Sequence, residues 1–416
     1  MRLSLPGLWK HHDFMKLWSG QTISLFGSSI TLLALPLTAV LLLHATAFQM
    51  GLLTAATNAP FLAVGPFAGV IVDRLKRRPI LILADLGRAF FLLLIPLTVV
   101  FHVLRIEYLD MIALVVGTLT VFFDVAYYSY LPSLISRDQL IEGNSKFETS
   151  YSLAQVAGPG VAGWLIQLLA APNAIFMDAI SFVVSGVSLA AIRTPEPSPS
   201  QTRRQKIWVE ISEGMRFVWQ NAVLRALTVC SATHNFANSM LYTIFVLYLT
   251  RNLELQPVLI GTIFAVGSCG ALVGALVGGR LAARFGVGPM IIGAQLLTVL
   301  ASLFYPFAAN PSIVVTTLLL AGGQAIWGLS RPIFNINQVS LRQTITPDHL
   351  LGRMTATSRF FSWGMLVFGG LAGGLLGEMI GLRAVLGLVV FVEMLATLGV
   401  LFSPVRAVGD PHLYLK

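Results

Sequence analysis

Charge is what this sequence has least of. Only 11% of its 416 residues are Asp, Glu, Lys or Arg, against 56% hydrophobic. A soluble chain cannot cover its exterior with so few charges, which excludes a water-soluble globular domain. Cysteine is nearly absent too. Cys230 and Cys269 both fall inside apolar runs, which argues against a disulfide framework or a cysteine metal site. There is no Gly-Lys-Ser/Thr phosphate loop, no metal-ligand cluster and no convincing nucleophile–base pair. An enzyme is therefore not expected, nor a cofactor or metal, nor ATP as the energy source.

What is abundant is long apolar sequence, with a mean hydropathy of +0.80. A dozen runs are long enough to cross a bilayer: 17–43, 50–72, 79–101, 109–132, 147–170, 173–192, 224–250, 257–280, 287–308, 312–335, 357–379 and 383–404. In lipid the backbone must satisfy its own hydrogen bonds, so these runs are read as helices. The net charge of +9 follows the positive-inside pattern rather than pointing to nucleic acid. Segments expected outside hold only Arg105, Arg251 and Arg383, and both termini are expected in the cytoplasm. The lead-in "LPGLWKHHDFMKLW" reads as interfacial rather than as a cleavable signal.

The largest polar interruption, "RTPEPSPSQTRRQK" at 193–206, reads as a linker. After it Ile207, Ile211, Met215, Val218 and Trp219 recur at helical spacing, which predicts an amphipathic helix on the inner membrane surface. The expected organisation is a six-helix bundle over 1–192, a linker over 193–222 and a second six-helix bundle over 223–416. The halves repeat at one offset: Phe26 and Phe236, Ser29 and Ser239, Gly51 and Gly261, Gly69 and Gly279, Arg74 and Arg284, and Gly163 and Gly373 all lie 210 apart. Two repeated six-helix halves predict an all-α integral membrane protein with twelve transmembrane helices in two pseudo-symmetric bundles, built as a secondary transporter.

Four stretches carry a resemblance. "GVIVDRLKRRP" places Gly69, Asp73, Arg74, Arg77 and Arg78 in a Gly-x-x-x-Asp-Arg-x-Gly-Arg-Arg pattern, with Lys76 at the second Gly. "AGPGVAGWL" holds Gly158, Pro159 and Gly163 in a near copy of an antiporter-type Gly-Pro-x-x-Gly-Gly. "FMKLWSGQTISLFGSSITLLALPL" and "YLPSLISRDQLIEGNS" are similar to the macrolide-efflux and enterobactin-exporter branch. The whole chain thus resembles the major facilitator superfamily. The resemblance implies a gate on the cytoplasmic side, with Asp73 facing the positive end of span 11 and Arg77 facing Asp124. Gly69 is expected to allow a close helix approach.

The resemblance further implies proton-coupled efflux of amphipathic drugs or siderophore-like metabolites by alternating access, in the plasma (inner) membrane, as a monomer. Its partners are then a small-molecule substrate, protons and the lipid bilayer. A lysophospholipid or metabolite carrier, or a non-transporting receptor of the same fold, stay open as alternatives. Ionisable residues inside spans carry a functional hypothesis by default. Asp124, Asp85, Arg88 and Glu148 are the candidates for coupling, although Asp85 and Arg88, three apart, also make a simple ion pair. Asp178 is expected at the outer start of span 6. Glu393 sits mid-span 12, as a coupling site or as the pair of a neighbouring polar group. Candidate substrate contacts are Gln21, Ser28, Phe123, Asn235, Asn238, Gln324 and Trp327.

Overall fold

The computed structural model describes residues 8–136, 139–196, 207–308, 312–347 and 350–408. Every regular element in them is helical: α1 (His12–Leu41), α2 (Ala47–Ala63), α3 (Gly65–Arg74), α4 (Arg77–Val100), α5 (Ile106–Leu134), α6 (Leu140–Leu169), α7 (Ala171–Ala190), α8 (Ile207–Gln220), α9 (Ala222–Leu247), α10 (Pro257–Phe285), α11 (Val287–Phe307), α12 (Ile313–Ile345), α13 (Leu351–Ile380) and α14 (Leu382–Leu401). Ten of them are long and apolar enough to cross a membrane. The other two spans expected from sequence lie on α2 with α3 and on α9. The first is broken. The second carries His234, Asn235 and Asn238 in its middle.

The duplication is visible in the helix starts. α1 and α9 begin at 12 and 222, α2 and α10 at 47 and 257, and α4 and α11 at 77 and 287, each pair 210 apart. The run expected over 50–72 departs from its copy. α10 is continuous, whereas α2 stops at Ala63 and α3 restarts with Pro66 in its first turn. Proline has no N–H to continue the ladder. The amides of Phe67 and Ala68 both turn back to the carbonyl of Val64 instead.

Two compact units divide the chain. The first holds residues 1–45 and 56–202, the second 46–55 and 203–416. Within the first, Leu81, Phe123, Ala126, Tyr130 and Leu134 form a core with Phe14, Leu17 and Leu189. Within the second, Leu227, Ile291, Phe334 and Val400 anchor another. Residues 46–55 join the second unit through Gly51, whose missing Cβ leaves room for the backbone of Gly370 and Gly374 on α13.

The helix after the linker does not simply lie on a surface. α8 turns Val218 fully inward against Leu224 and Met354. Gly214 passes under the carbonyl of Arg353, and Trp219 meets Phe361 edge-on. Its apolar residues therefore dock on the start of α13, while Met215 and Trp219 stay partly exposed. The side chains of Ile207 and Ile211, and the whole of 197–206, lie outside the described residues.

Candidate functional site

In the first unit the buried polar groups converge on one arginine. Asp85 and Arg88 lie one turn apart on α4, which puts both on one face, and their side chains meet at 2.5 Å. Asp85 is fully buried and Arg88 is 5% exposed. The guanidinium is held between two rings, 4.3 Å from the centroid of Phe123 on α5 and 4.1 Å from that of Phe182 on α7. A planar delocalised cation suits this slot and an ammonium would not. Asp85 also bonds Ser185. Two further carboxylates lie within reach of the Arg88 charge, Asp124 on α5 and Asp178 on α7. Asp178 accepts hydrogen bonds from Thr31 of α1 and from Ser181. One cation thus acts on three carboxylates, on Asp85 by direct contact and on Asp124 and Asp178 through space.

Several expectations need correction here. Asp178 does not begin its helix. It is the eighth residue of α7 and is buried, because Thr31 and Ser181 supply its partners. Phe123 is a stacked core ring under Arg88 rather than the lining of a cavity. Glu148 is exposed on α6 and joins none of these contacts. Arg77 pairs with Glu196, not with Asp124, at 3.6 Å. The two Glu196 carboxylate oxygens accept the backbone N–H groups of Arg77 and Arg78 at 2.7 and 3.1 Å, capping α4. Arg78 donates to the last carbonyls of α7, Leu189 and Ala190. Two residues of the motif, Arg77 and Arg78, thus close helix ends. Glu196→Ala should remove both caps and leave the Arg77 side chain unpaired. A cost of about 1–3 kcal/mol is expected, read as a lower melting temperature in detergent with helix content retained.

Gly69 is not a close-approach glycine in this structure, since a Cβ there would meet nothing within 4 Å among the described residues. Arg74 is exposed, and the side chain of Asp73 lies outside the described residues. Gly158 does serve packing. A Cβ would overlap Ser29 of α1, whose hydroxyl bonds the Leu25 carbonyl. Pro159 lies within α6 and Gly163 is buried.

In the second unit the aromatic groups gather. Trp327 on α12 meets Tyr242 of α9 edge-on at 5.7 Å, and Tyr242 stacks on Phe264 of α10 at 6.0 Å. Phe245 joins Phe264 to Tyr305. Arg331 lies 5.1 Å over the Trp327 ring. Tyr242, which meets Trp327, and Phe264, which stacks on Tyr242, are not singled out by the sequence, because three different helices bring them together. The other candidate contacts differ in kind. Asn235 donates to the Ser362 carbonyl, so it joins α9 to α13. Gln324 is buried against Gly267 of α10. Asn238 has a buried carbonyl oxygen with no hydrogen bond among the described residues, and in the first unit Gln21 has the same. Ser28 is partly exposed on α1. Glu393 and His234, which the sequence leaves apart, meet at 3.0 Å. No cluster of three or more metal-ligating side chains occurs among the described residues.

Known proteins agree with this architecture. Residues 17–363 match the family model described as Major Facilitator Superfamily, with a second match over 227–413. Multidrug efflux pump Tap of Mycolicibacterium fortuitum is 28% identical over 373 residues, covering 86% of this chain and 87% of that one. Macrolide efflux protein A of Streptococcus pyogenes is 26% identical over 382 residues, covering 89% and 90%. Among solved structures, nucleoside transporter NupG superposes with a TM-score of 0.75 at 11% identity, covering 94% of this chain and 98% of that one. A bacterial homologue of the iron transporter ferroportin reaches 0.74 at 14% identity, covering 94% and 98%.

Proposed function

The chain belongs to the major facilitator superfamily, and from that premise we propose that it exports amphipathic small molecules, drugs or siderophore-like metabolites, in exchange for protons by alternating access. It is a membrane transporter and not an enzyme. The proposal places it in a bacterial inner membrane as a monomer with both termini in the cytoplasm.

One observation carries the coupling: Arg88 is paired with the buried Asp85 and acts through space on Asp124 and Asp178, inside helices long enough to cross the bilayer. Charges in that setting are costly unless paired or neutralised, and carboxylates there are the usual carriers of protons. Direction is supported by two relatives named as efflux proteins. An apolar substrate with few polar anchors suits the Trp327, Tyr242 and Phe264 cluster beside Arg331.

A second reading has its own observation. Within the second unit a pocket of about 680 Å³ opens between α8, α9, α13 and α14, lined by Trp219, Phe236, Phe361, Met365 and Phe368 with little polar surface. That chemistry fits an acyl chain, and so favours a lysolipid substrate.

The test is flux in proteoliposomes with ethidium, a catechol siderophore and a lysophospholipid, with and without an imposed proton gradient. Gradient-driven efflux of ethidium or the siderophore is expected. Asp124→Asn keeps the size of the side chain and removes its proton site, and should lower that flux by about tenfold or more while substrate binding persists. Gradient-independent lysolipid movement would favour the second reading. Binding without flux of any probe would leave a receptor.

A further inference from the structure

The second unit contains a buried titratable pair that the coupling cluster of the first unit does not use. His234 on α9 presents Nδ1 to both carboxylate oxygens of Glu393 on α14, at 3.0 and 3.1 Å. Glu393 is 2% exposed and His234 7%. His234 lies twelve residues after the start of α9, about 18 Å along the helix. That is near the middle of a hydrocarbon core of about 30 Å. Neither residue has another charged hydrogen-bond partner among the described contacts.

The charges around the pair are few. Cys230 on α9 and Tyr305 on α11 are the ionisable groups that feel Glu393. The nearby cation is Arg342 on α12, which acts on Cys230 and donates to Ser231 rather than to Glu393. Of the other basic groups on α9 and the elements that touch it, Arg383 at the start of α14 donates to the Pro306 carbonyl, Arg225 donates to the Trp219 carbonyl, and Arg216 and Arg251 are exposed. Arg359 on α13 stacks on Trp363, Arg353 pairs with Glu213, and α13 meets α9 through Ser358 and the Ser362 carbonyl. Arg406 on the turn after α14 is exposed.

The geometry has a simple proton balance. One proton between one imidazole nitrogen and one carboxylate gives either imidazolium with carboxylate or imidazole with carboxylic acid. Both are neutral overall and both keep the bond. A second proton leaves the pair positive, with imidazolium facing a carboxylic acid, and loss of the shared proton leaves it negative, with the Nδ1–H tautomer of neutral imidazole still donating to the carboxylate. Either change leaves one uncompensated charge buried between α9 and α14, which weakens the contact. The first unit ties its equivalent helices with Thr31 and Asp178, where only one partner titrates. One turn from His234 the same face of α9 continues polar. Ser231 donates to Gln338 at 2.9 Å and accepts from Arg342, close to the end of α12. That gives the pair polar neighbours in the direction of the helix ends at Ala222 and Ile345.

We propose that His234 and Glu393 form a second proton-binding site, whose gain or loss of one proton loosens α9 from α14 during transport. The inference rests on the proton-coupled reading above. Its test uses the full-length protein, with ethidium as the probe, measured as binding over a range of buffers from acid to neutral and as efflux with the proton-to-ethidium ratio. In the wild type, ethidium affinity should change by about tenfold over that range. His234→Gln and Glu393→Gln should each flatten the profile, the double variant should add nothing further, and Glu393→Asp should restore part of the slope. A merely structural contact would instead lower stability and leave the slope intact. Gradient-driven efflux with an unchanged ratio and slope in all variants overturns this inference alone. Absence of gradient-driven efflux in the wild type overturns the parent reading. Where Glu393→Gln does not fold, infrared difference spectra of the wild type with labelled histidine decide: a His234 ring signal that does not change between acid and neutral buffer also overturns it.

Discussion

Replacing Arg88 with methionine is expected to be the most damaging single change in the first unit, at about 3–5 kcal/mol. Methionine fills much of the slot between Phe123 and Phe182, so the loss is not one of volume. It removes the cation that, among the described residues, pairs with the fully buried Asp85, and the charge that reaches Asp124 and Asp178. Breaking a buried pair from one side strands the partner, whereas removing both partners does not. Arg88→Met with Asp85→Asn should therefore be less damaging than Arg88→Met alone. Arg88→Lys keeps the charge but loses the flat stack between two rings, and should fall between wild type and Arg88→Met. Thermal unfolding in detergent reads all three. A double variant as unstable as the single one would mean that stacking, and not charge, holds Arg88 in place.

The same residues show what could be read from the chain beforehand. The apolar runs and the 210-residue repeat were legible because span length and helical period are local properties. Helices starting at 12 and 222, 47 and 257, and 77 and 287 keep that repeat. The pairing of Asp85 with Arg88 was legible as well, since three residues on a helix fix a shared face. What the sequence hid are contacts made across long separations. Glu196 reaches the start of α4 across 119 residues, and Glu393 reaches His234 across 159. The motif at Gly69–Arg78 suggested Asp124 for Arg77, while the chain folds Glu196 onto it. The break between α2 and α3 had a visible cause in Pro66, but a window of average hydropathy runs straight across it.

Gly328→Val should prevent correct assembly of the second unit, the largest effect expected there. In lipid, helices gain little from hydrophobic contact and depend on close packing, so small residues decide which faces meet. α10 carries Gly267, Gly270, Gly274 and Gly278 along one side, and α12 crosses that side. A Cβ on Gly270 or Gly274 would overlap the carbonyl of Ala325 or Leu329, and one on Gly328 would overlap the carbonyl of Gly267. These obstacles are backbone atoms and cannot rotate aside. The helices would have to separate along their length, with loss of the contacts that place Gln324 and Trp327. Gly293→Val is the matched control. It also adds a branched side chain inside a helix, but a Cβ there has nothing within 4 Å among the described residues. Its cost is expected to stay within about 1 kcal/mol. Yield of folded protein in detergent and protease resistance separate the two. Equal behaviour of both variants would mean that the seam between α10 and α12 is loose enough to part, and that the placement of Trp327 beside Tyr242 does not depend on it.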